Sequence, residues 1–437
     1  MKAIRNTGLP ILFVLLFMQC EKEPEVTPPV QVEIPDPNFL AALIAQGVDA
    51  NGDGLIDNVE AEAIVSLDVS GWEISDMTGI EKFIKLDTLY CHVNPLATLD
   101  LSSNAQLVGL DCHDCELRSL DLSQKSSLSW LRCSDNQLSE LNLSGCVSLE
   151  TMTCHTNNLA ALDLSGKPLL YYVYCSKNQL TGLDVSGNPE LKTLYCDDNQ
   201  LTELDISHNP ALTDLICDKN QLTSLDISSN PLMRLVYCAD NLLTQLDVTG
   251  HPELTHLNIS GNQISTIDLT QNDTLWGLLC SGCGLTGLDL SGNPTIEYVD
   301  CSNNLLSSLD ISSNTSLLYL KCTDNQLTGL DLSLNTKLGH LNCGGNQLAD
   351  LDVSNNILLE QLDCSSNPLS TLDISGNTQL GQYTGYLTMD MDNSDLNLSR
   401  MPFLGEVCVW ELPFPPEGLE VDTSGSPNLY FTTGCSR

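Results

Sequence analysis

A cysteine recurs every 21 residues through most of this 437-residue chain, and this period constrains the fold more than any other feature. Counting Ile259, which takes the one place where the series skips, the period gives fourteen units over residues 86–379. Repeats of this length are typical of solenoids, in which each unit packs only against its neighbours. The thirteen cysteines of the series are Cys91, Cys112, Cys133, Cys154, Cys175, Cys196, Cys217, Cys238, Cys280, Cys301, Cys322, Cys343 and Cys364.

Each unit has two similar halves, LxxLxCxxN and LxxLDLSxN. Inward and outward residues alternate in both halves, which predicts a short strand in each. The asparagine that ends each half predicts a turn, where its amide can bond to backbone groups that no strand partner reaches. We therefore expect a mainly β solenoid of fourteen rungs, with short parallel strands on both sides.

These residues resemble the leucine-rich repeat, in the 21-residue form with an inner cysteine that occurs among the internalins. Residues 36–85, including 66–71 and 74–80, are similar to the N-terminal cap of internalin-like proteins. The resemblance implies a right-handed solenoid over 86–379, a small helical cap before it and an irregular or β cap over 380–437. It also implies a cell-surface binding module, often an adhesin.

The cap carries a complete twelve-residue calcium-loop pattern at residues 49–60, which resembles an EF-hand. Gly54 allows the sharp turn at position six, and the apolar Ile56 anchors the loop to its flanking helices. The alternative is an acidic turn without a metal. The predicted ligands are the side chains of Asp49, Asn51, Asp53, Asp57 and Glu60 and the backbone carbonyl of Leu55.

The N-terminus reads as a sorting segment. Lys2 and Arg5 precede an apolar run that ends at Met18, which predicts a signal peptide over 1–19. Cys20 opens an acidic, proline-rich tether over 20–35, an arrangement that resembles a bacterial lipoprotein signal in the looser form of the Bacteroidetes phylum. The resemblance implies lipidation of Cys20 and an outer-membrane or cell-surface location. Ordinary secretion and an uncleaved anchor are the alternatives.

The remaining cysteines and the histidines allow several interpretations. Because Ile259 fills a ladder place, we expect the ladder cysteines to be free, packed thiols rather than disulfides or metal ligands. Cys115, Cys283 and Cys146 stand in turn-asparagine places. Cys408 and Cys435, outside the array, predict a disulfide that closes the end cap. His92 and His113 lie next to Asp111 and Asp114, where we expect exposed side chains rather than a metal site.

The chain has 57 acidic and 17 basic residues and a net charge of -40, which excludes binding to the phosphate backbone of nucleic acid. Part of this charge is a column of aspartates in the second half of each unit, with Asn142 as the one exception. We expect hydrogen bonds to neighbouring Ser, Thr and backbone groups to stabilise the column; bound cations are the alternative. The column consists of Asp100, Asp121, Asp163, Asp184, Asp205, Asp226, Asp247, Asp268, Asp289, Asp310, Asp331, Asp352 and Asp373.

Only the outward positions of the cysteine strand vary freely, so this face is the candidate binding surface. Aromatic and apolar residues gather there, a composition favoured at protein interfaces and on sugar-stacking surfaces. The alternative is that tyrosine merely suits an exposed strand. The candidate residues are Trp130, Tyr172, Tyr174, Tyr195, Ile216 and Tyr237.

Together these features predict an exported, monomeric, calcium-capped repeat protein that binds a protein or glycan partner and is anchored through lipid on Cys20. We do not expect an enzyme, because a catalytic carboxylate pair is needed once whereas the aspartate column repeats in every rung. Two alternatives remain. One is a polysaccharide-active enzyme of the parallel β-helix kind, which needs a cluster of basic residues that the array lacks; the other is a structural spacer without a ligand.

Overall fold

The computed structural model describes residues 29–382 and 394–435. The predicted signal peptide, Cys20 and the first part of the tether lie outside these residues, as do 383–393 and 436–437 of the C-terminal cap. Within the described part of the chain, no helix is long and apolar enough to cross a membrane.

The described chain forms a parallel β-solenoid with a small helical cap. Its helices are α1 (Pro37–Ala45), α2 (Asn58–Ala63) and one 3-10 turn (Ile80–Lys82). Its strands are β1 (Ser66–Asp68), β2 (Thr88–Tyr90), β3 (Gly109–Asp111), β4 (Ser119–Asp121), β5 (Trp130–Arg132), β6 (Glu140–Asn142), β7 (Thr151–Thr153), β8 (Tyr172–Tyr174), β9 (Thr193–Tyr195), β10 (Asp214–Ile216), β11 (Leu235–Tyr237), β12 (His256–Asn258), β13 (Gly277–Leu279), β14 (Tyr298–Asp300), β15 (Tyr319–Lys321), β16 (His340–Asn342), β17 (Gln361–Asp363), β18 (Thr371–Asp373), β19 (Leu396–Asn397), β20 (Glu406–Cys408), β21 (Val421–Asp422) and β22 (Tyr430–Thr432).

Seventeen of these strands form one continuous parallel sheet along the cysteine side. Within the repeats each strand lies beside the residues 21 positions further on, so that Leu194 of β9 pairs with Leu215 of β10. The prediction of a parallel repeat solenoid is confirmed. The sheet has three strands more than the fourteen predicted rungs, because β1 from the N-terminal cap and β19 and β21 from the C-terminal cap extend it.

The second side has fewer strands. There β4 pairs with β6, and β18 pairs with β20, which pairs with β22. The other rungs keep the predicted alternation without forming a ladder: Leu204 and Ile206 are buried and Asp205 between them is exposed. In the rungs next to Leu204 and Ile206, the side chains of the asparagines that end each half form hydrogen bonds to the neighbouring rung.

Two columns of buried asparagines make these bonds. Asn199, at the end of a first half, donates to the carbonyls of Cys175 and Cys196 over 3.2 and 3.1 Å and accepts from the amide of Leu180 over 3.0 Å. Asn209, at the end of a second half, donates to the carbonyls of Val185 and Asn188 over 2.9 and 2.8 Å. Each side chain therefore reaches a carbonyl 24 residues earlier in the chain.

Five residues of other types in these columns keep the same bond, whereas Lys167 donates to the carbonyl of Ser165 over 2.9 Å instead. The thiol of Cys115 donates to the Cys91 carbonyl over 3.2 Å, Cys283 to Ile259 over 3.1 Å and Cys146 to Leu122 over 3.3 Å. The buried ammonium of Lys125 donates to Leu101 over 2.7 Å, and Nε2 of His251 lies 3.0 Å from the carbonyl oxygen of Ile227. What these places require is a hydrogen-bond donor rather than asparagine itself.

The ladder cysteines and the inward leucines form the core. All thirteen ladder cysteines are buried, as is Ile259 in the skipped place, and all thirteen are free thiols. Burial raises the pKa of Cys154 to about 12, so that its thiol stays protonated at neutral pH. The prediction of packed, unbridged thiols is confirmed.

Candidate binding face and calcium loop

The predicted calcium loop lies between α1 and α2, closed on itself by hydrogen bonds. The carboxylate of Asp49 accepts from the amides of Gly52 and Gly54 over 2.8 and 2.9 Å. Asp57 caps α2 by accepting from Val59 and Glu60 over 2.8 and 2.9 Å. The loop thus has a local conformation fixed by hydrogen bonds from its own backbone amides.

Glu60, the predicted last ligand, is 8% exposed and holds the two ends of the loop together. One of its oxygens accepts from the amides of Ala50 and Asn51 over 2.9 and 3.1 Å, and the other accepts from Asp57 over 3.0 Å. Positive φ angles of 76° at Gly52 and 82° at Gly54 allow the sharp turns. The donor set of carboxylate, amide and carbonyl oxygens, with Leu55 providing the carbonyl, fits Ca²⁺.

The cysteine face, which we define as the outward side of the 17-stranded sheet, carries the predicted aromatic residues on adjacent strands. Tyr172 and Tyr174 of β8 meet Tyr195 of β9 edge to face, with ring centroids 6.1 and 5.6 Å apart. Ile216 lies beside Tyr195 on one side and beside Tyr237 on the other. The structure therefore brings five of the six predicted residues into one tyrosine stripe over β8 to β11.

Trp130, the sixth predicted residue, lies in a separate aromatic group near the N-terminal end of the sheet. Its indole packs over the backbone of Gly109 on the preceding strand, where any Cβ atom would overlap the ring. Its ring centroid lies 5.7 Å from that of Tyr90. An open cleft of about 560 Å³ runs from this pair to Tyr172, with Arg132 and Glu150 among its lining residues.

The tyrosine stripe lies in a negative electrostatic environment. Burial raises the pKa of Tyr174, Tyr195 and Tyr237, and nearby carboxylates raise it further. Burial also raises the pKa of Asp218, beside the stripe, to about 6, and the charges of Asp197 and Asp240 act in the same direction. The stripe is therefore better suited to neutral or basic partners than to acidic ones.

A second aromatic group on the same face was not predicted. The rings of Tyr298 and Tyr319 stack with centroids 4.4 Å apart, and His340 lies 5.9 Å from Tyr319. These three residues are largely buried. They occupy the first position of their strands, the position of Trp130 and Tyr172, so reading this column through all rungs would have found them. Tyr90, which contacts Trp130, was also not predicted, although it directly precedes a ladder cysteine, as Tyr174 does.

The histidines near the N-terminal end of this face make pairwise contacts. The imidazoles of His92 and His113 stack with centroids 4.4 Å apart, and Nδ1 of His113 lies 2.6 Å from a carboxylate oxygen of Asp111. Within the described residues, the only three His, Cys, Asp or Glu side chains whose ligand atoms converge are Asp373, Cys408 and Cys435, so the carboxylates of the calcium loop do not meet at one point in this structure. The structure joins those two cysteines in a disulfide with Cα atoms 5.5 Å apart, so they cannot serve as thiolate ligands.

The aspartate column lies exposed on the second side, stabilised by bonds within each turn. Asp184 accepts from both the amide and the hydroxyl of Ser186, over 2.9 and 2.6 Å. Asn142 accepts from the amide of Ser144 over 3.2 Å. These bonds lower the pKa of Asp184. The predicted hydrogen bonds from Ser, Thr and backbone groups to the column are present.

Comparison with solved structures decides the family. The chain is 35% identical to the functional domain of InlJ from Listeria monocytogenes, which includes a cysteine ladder, over 79% of this chain and 77% of that one, with a TM-score of 0.75. The chain belongs to the leucine-rich repeat family. Within that family it is similar to the internalin with a cysteine ladder. A Leucine Rich Repeat family model also matches residues 253–272.

Two further matches are narrower or more distant. Internalin J of Listeria monocytogenes is 40% identical over 70 residues, which are 16% of this chain and only 8% of that protein's length. YopM from Yersinia enterocolitica shares the fold with a TM-score of 0.60 at 23% identity, over 85% of this chain and 92% of that one. An internalin-like leucine-rich repeat fold indicates protein binding or adhesion as the general class of function.

Proposed function

We propose that this leucine-rich repeat protein is an exported binding or adhesion protein rather than an enzyme, and that it recognises a protein or glycan partner through its cysteine face. The observation that carries the proposal is the tyrosine stripe, in which Tyr172, Tyr174, Tyr195, Ile216 and Tyr237 lie on adjacent strands. Tyrosine provides a large contact area at a small loss of side-chain entropy and a hydroxyl for hydrogen bonds.

The choice between the two partner classes is open to a direct screen. Purified protein comprising residues 20–437 is applied to a glycan array and to a protein array. Binding that the double variant Tyr195→Ser, Tyr237→Ser loses supports the proposal and identifies the partner class. Tyr430→Ser, which removes an exposed tyrosine from the C-terminal cap, is the matched control. Unchanged adhesion of the folded double variant to cells or coated beads would overturn the proposal.

Calcium in the loop at 49–60 stabilises the N-terminal cap in this proposal. The ligand set of Asp49, Asn51, Asp53, Leu55, Asp57 and Glu60 supports it, and extracellular sites of this kind bind at roughly 10⁻⁴ to 10⁻³ M. Calorimetric titration with calcium chloride tests it. We expect Asp49→Ala to abolish the binding heat and Asp76→Ala, an exposed aspartate in the same cap, to leave it unchanged. Identical titrations of the native and Asp49→Ala proteins would remove the site.

A lipid on Cys20 provides the attachment in this proposal and places the solenoid at the outer membrane or cell surface. It rests on the sequence pattern alone, since Cys20 lies outside the described residues. We expect the native protein to partition into the detergent phase of Triton X-114 and to incorporate labelled palmitate. Cys20→Ser should do neither, and a native protein that stays in the aqueous phase would support ordinary secretion instead.

A further inference from the structure

A short segment before the cap pairs with the calcium loop as an antiparallel strand. The amide of Val32 donates to the carbonyl of Ile56 over 2.8 Å, and the amide of Asn58 donates to the carbonyl of Val30 over 2.9 Å. These bonds place Gln31 opposite Asp57. A third bond runs from the amide of Val30 to the side-chain oxygen of Asn58 over 2.7 Å.

The pairing involves the part of the loop that carries its later proposed ligands. It covers residues 56–58, the stretch between the carbonyl of Leu55 and the carboxylate of Glu60. Asp57, at the centre of the pairing, is itself a proposed ligand and also caps α2, from which Glu60 extends. The paired strand therefore sets the position of the half of the loop that provides the last three ligands.

The same segment is fixed on its other side by the body of the cap. Val32 is 4% exposed and belongs to the hydrophobic core, and Ile34 packs partly against it. Gly79 leaves room for the segment, because a Cβ atom there would lie 2.9 Å from both the carbonyl oxygen of Glu33 and a side-chain carbon of Ile34. Asp36 then accepts from the amide of Ser75 over 2.8 Å. Residues 30–36 thus connect the loop to the body of the cap.

We propose that residues 30–32 are a positioning segment of the calcium site, so that docking of this segment and binding of calcium strengthen each other. The inference rests on the calcium site proposed above. A loop with a docked strand has Asp57 and Glu60 already placed, and calcium loses less free energy in ordering them. By thermodynamic linkage, bound calcium then stabilises the docked segment by the same factor.

The decisive variant removes one backbone donor. Val32→Pro eliminates the amide that bonds to Ile56 and should raise the calcium Kd about tenfold, within the usual range for coupled sites. Gln31→Pro is the matched control, because it places the same ring one residue away and leaves the two amides of the pairing intact. Val32→Ala, which keeps the amide, separates loss of the bond from loss of packing. Calcium chloride titrations by calorimetry measure all three, and circular dichroism establishes that each is folded.

A second measurement needs no variant. Hydrogen exchange of the native protein should show slower exchange at the Val32 and Asn58 amides when calcium is added, while amides in the distant rungs stay unchanged. Native-like calcium affinity in folded Val32→Pro, together with calcium-independent exchange at 30–32, would overturn the positioning role alone. Absence of calcium binding by the native protein would overturn the calcium site and, with it, this inference.

Discussion

The thiol of Cys146 donates a hydrogen bond to the carbonyl oxygen of Leu122 over 3.3 Å, the bond that an asparagine makes in most of the other rungs. A thiol can replace an amide here because the Leu122 carbonyl needs only a hydrogen-bond donor at this position. An asparagine makes a second bond to the preceding rung. Asn230 donates to the carbonyls of both Ile206 and Asn209, over 2.9 and 2.8 Å. The turn columns therefore add hydrogen bonds between neighbouring rungs.

We expect Asn230→Ala to lower the free energy of unfolding by about 2–3 kcal/mol, because two buried carbonyls lose their donor. Asn230→Cys keeps one donor and should recover part of this loss. Asn158→Ala, at an exposed turn position, should change the free energy by less than about 0.5 kcal/mol. Urea unfolding measures all three, and equal losses for Asn230→Ala and Asn158→Ala would contradict the role of the buried column.

The ladder thiols should be chemically silent in the folded protein. Burial raises the pKa of Cys154 in the ladder to about 12 and that of Cys146 in a turn place to about 11, so thiolate is scarce at these two residues at pH 8. A hydrogen bond with the Cys91 side chain lowers the pKa of Cys115, so that burial alone protects this thiol. In a Cys20→Ser background, we expect DTNB to label none of the sixteen free cysteines of the described chain until guanidinium unfolds it. An added surface cysteine, Ser186→Cys, should react at once and serves as the positive control. Labelling of native ladder thiols would show that the rungs open.

The lack of a side chain at Gly109 should determine where the Trp130 indole packs. We expect Gly109→Ala to displace the indole, weaken binding of a partner that uses the cleft and lower stability by about 1–3 kcal/mol through overpacking. Gly287→Ala is the matched control, because a Cβ atom there has no neighbour within 4 Å. Near-UV circular dichroism detects the displaced ring. An unchanged spectrum in Gly109→Ala would mean that the close packing of ring and backbone is not required.

Asp218 and Asp205 should respond to pH with opposite signs. The folded pKa of Asp218 is raised from 3.8 to about 6, so its protonated form stabilises the fold below about pH 4, and this contribution is lost as pH rises to 6. Asp218→Asn should therefore stabilise the protein at pH 7.5, by at most about 3 kcal/mol, and have little effect at pH 4.

The pKa of Asp205 is lowered by hydrogen bonds from Ser207, so its charged form stabilises the fold above about pH 4, and this contribution is lost as pH falls through the folded pKa. Asp205→Asn should therefore destabilise the protein at pH 7.5. Denaturant unfolding at several pH values compares the two variants. Changes of the same sign at neutral pH would contradict the assigned shifts.

Periodic features of this molecule could be predicted from sequence, and single contacts could not. The burial of Cys217 and the outward direction of Tyr195 follow from a unit repeated fourteen times, in which every copy supports the assignment. The pairing of Val32 with Ile56 occurs once, between residues with no repeat relation. The packing of Trp130 on Gly109 likewise depends on two particular residues meeting on adjacent strands.

On the second side of the solenoid, the hydrogen-bond partners could not be predicted from the sequence. Alternation predicted a strand around Leu204, and its inward direction is right, yet burial alternation alone does not specify which groups make the hydrogen bonds. Asparagine side chains such as Asn209 make them between rungs, and Asp205 accepts from the amide of Ser207 over 2.9 Å. Because these backbone groups already bond to nearby side chains, fewer of them are left to pair with a neighbouring strand.

The constant offset of 21 residues between paired strands, as between Leu194 and Leu215, also bears on how such a chain can change length. A duplicated or deleted unit finds the same neighbours above and below, so it leaves both caps and every other rung intact. A unit gained or lost between the N-terminal cap and the tyrosine stripe moves the stripe by one strand spacing, about 4.8 Å, relative to that cap. The distance between the N-terminal cap and the stripe can thus change in fixed steps, without redesign of the surface itself.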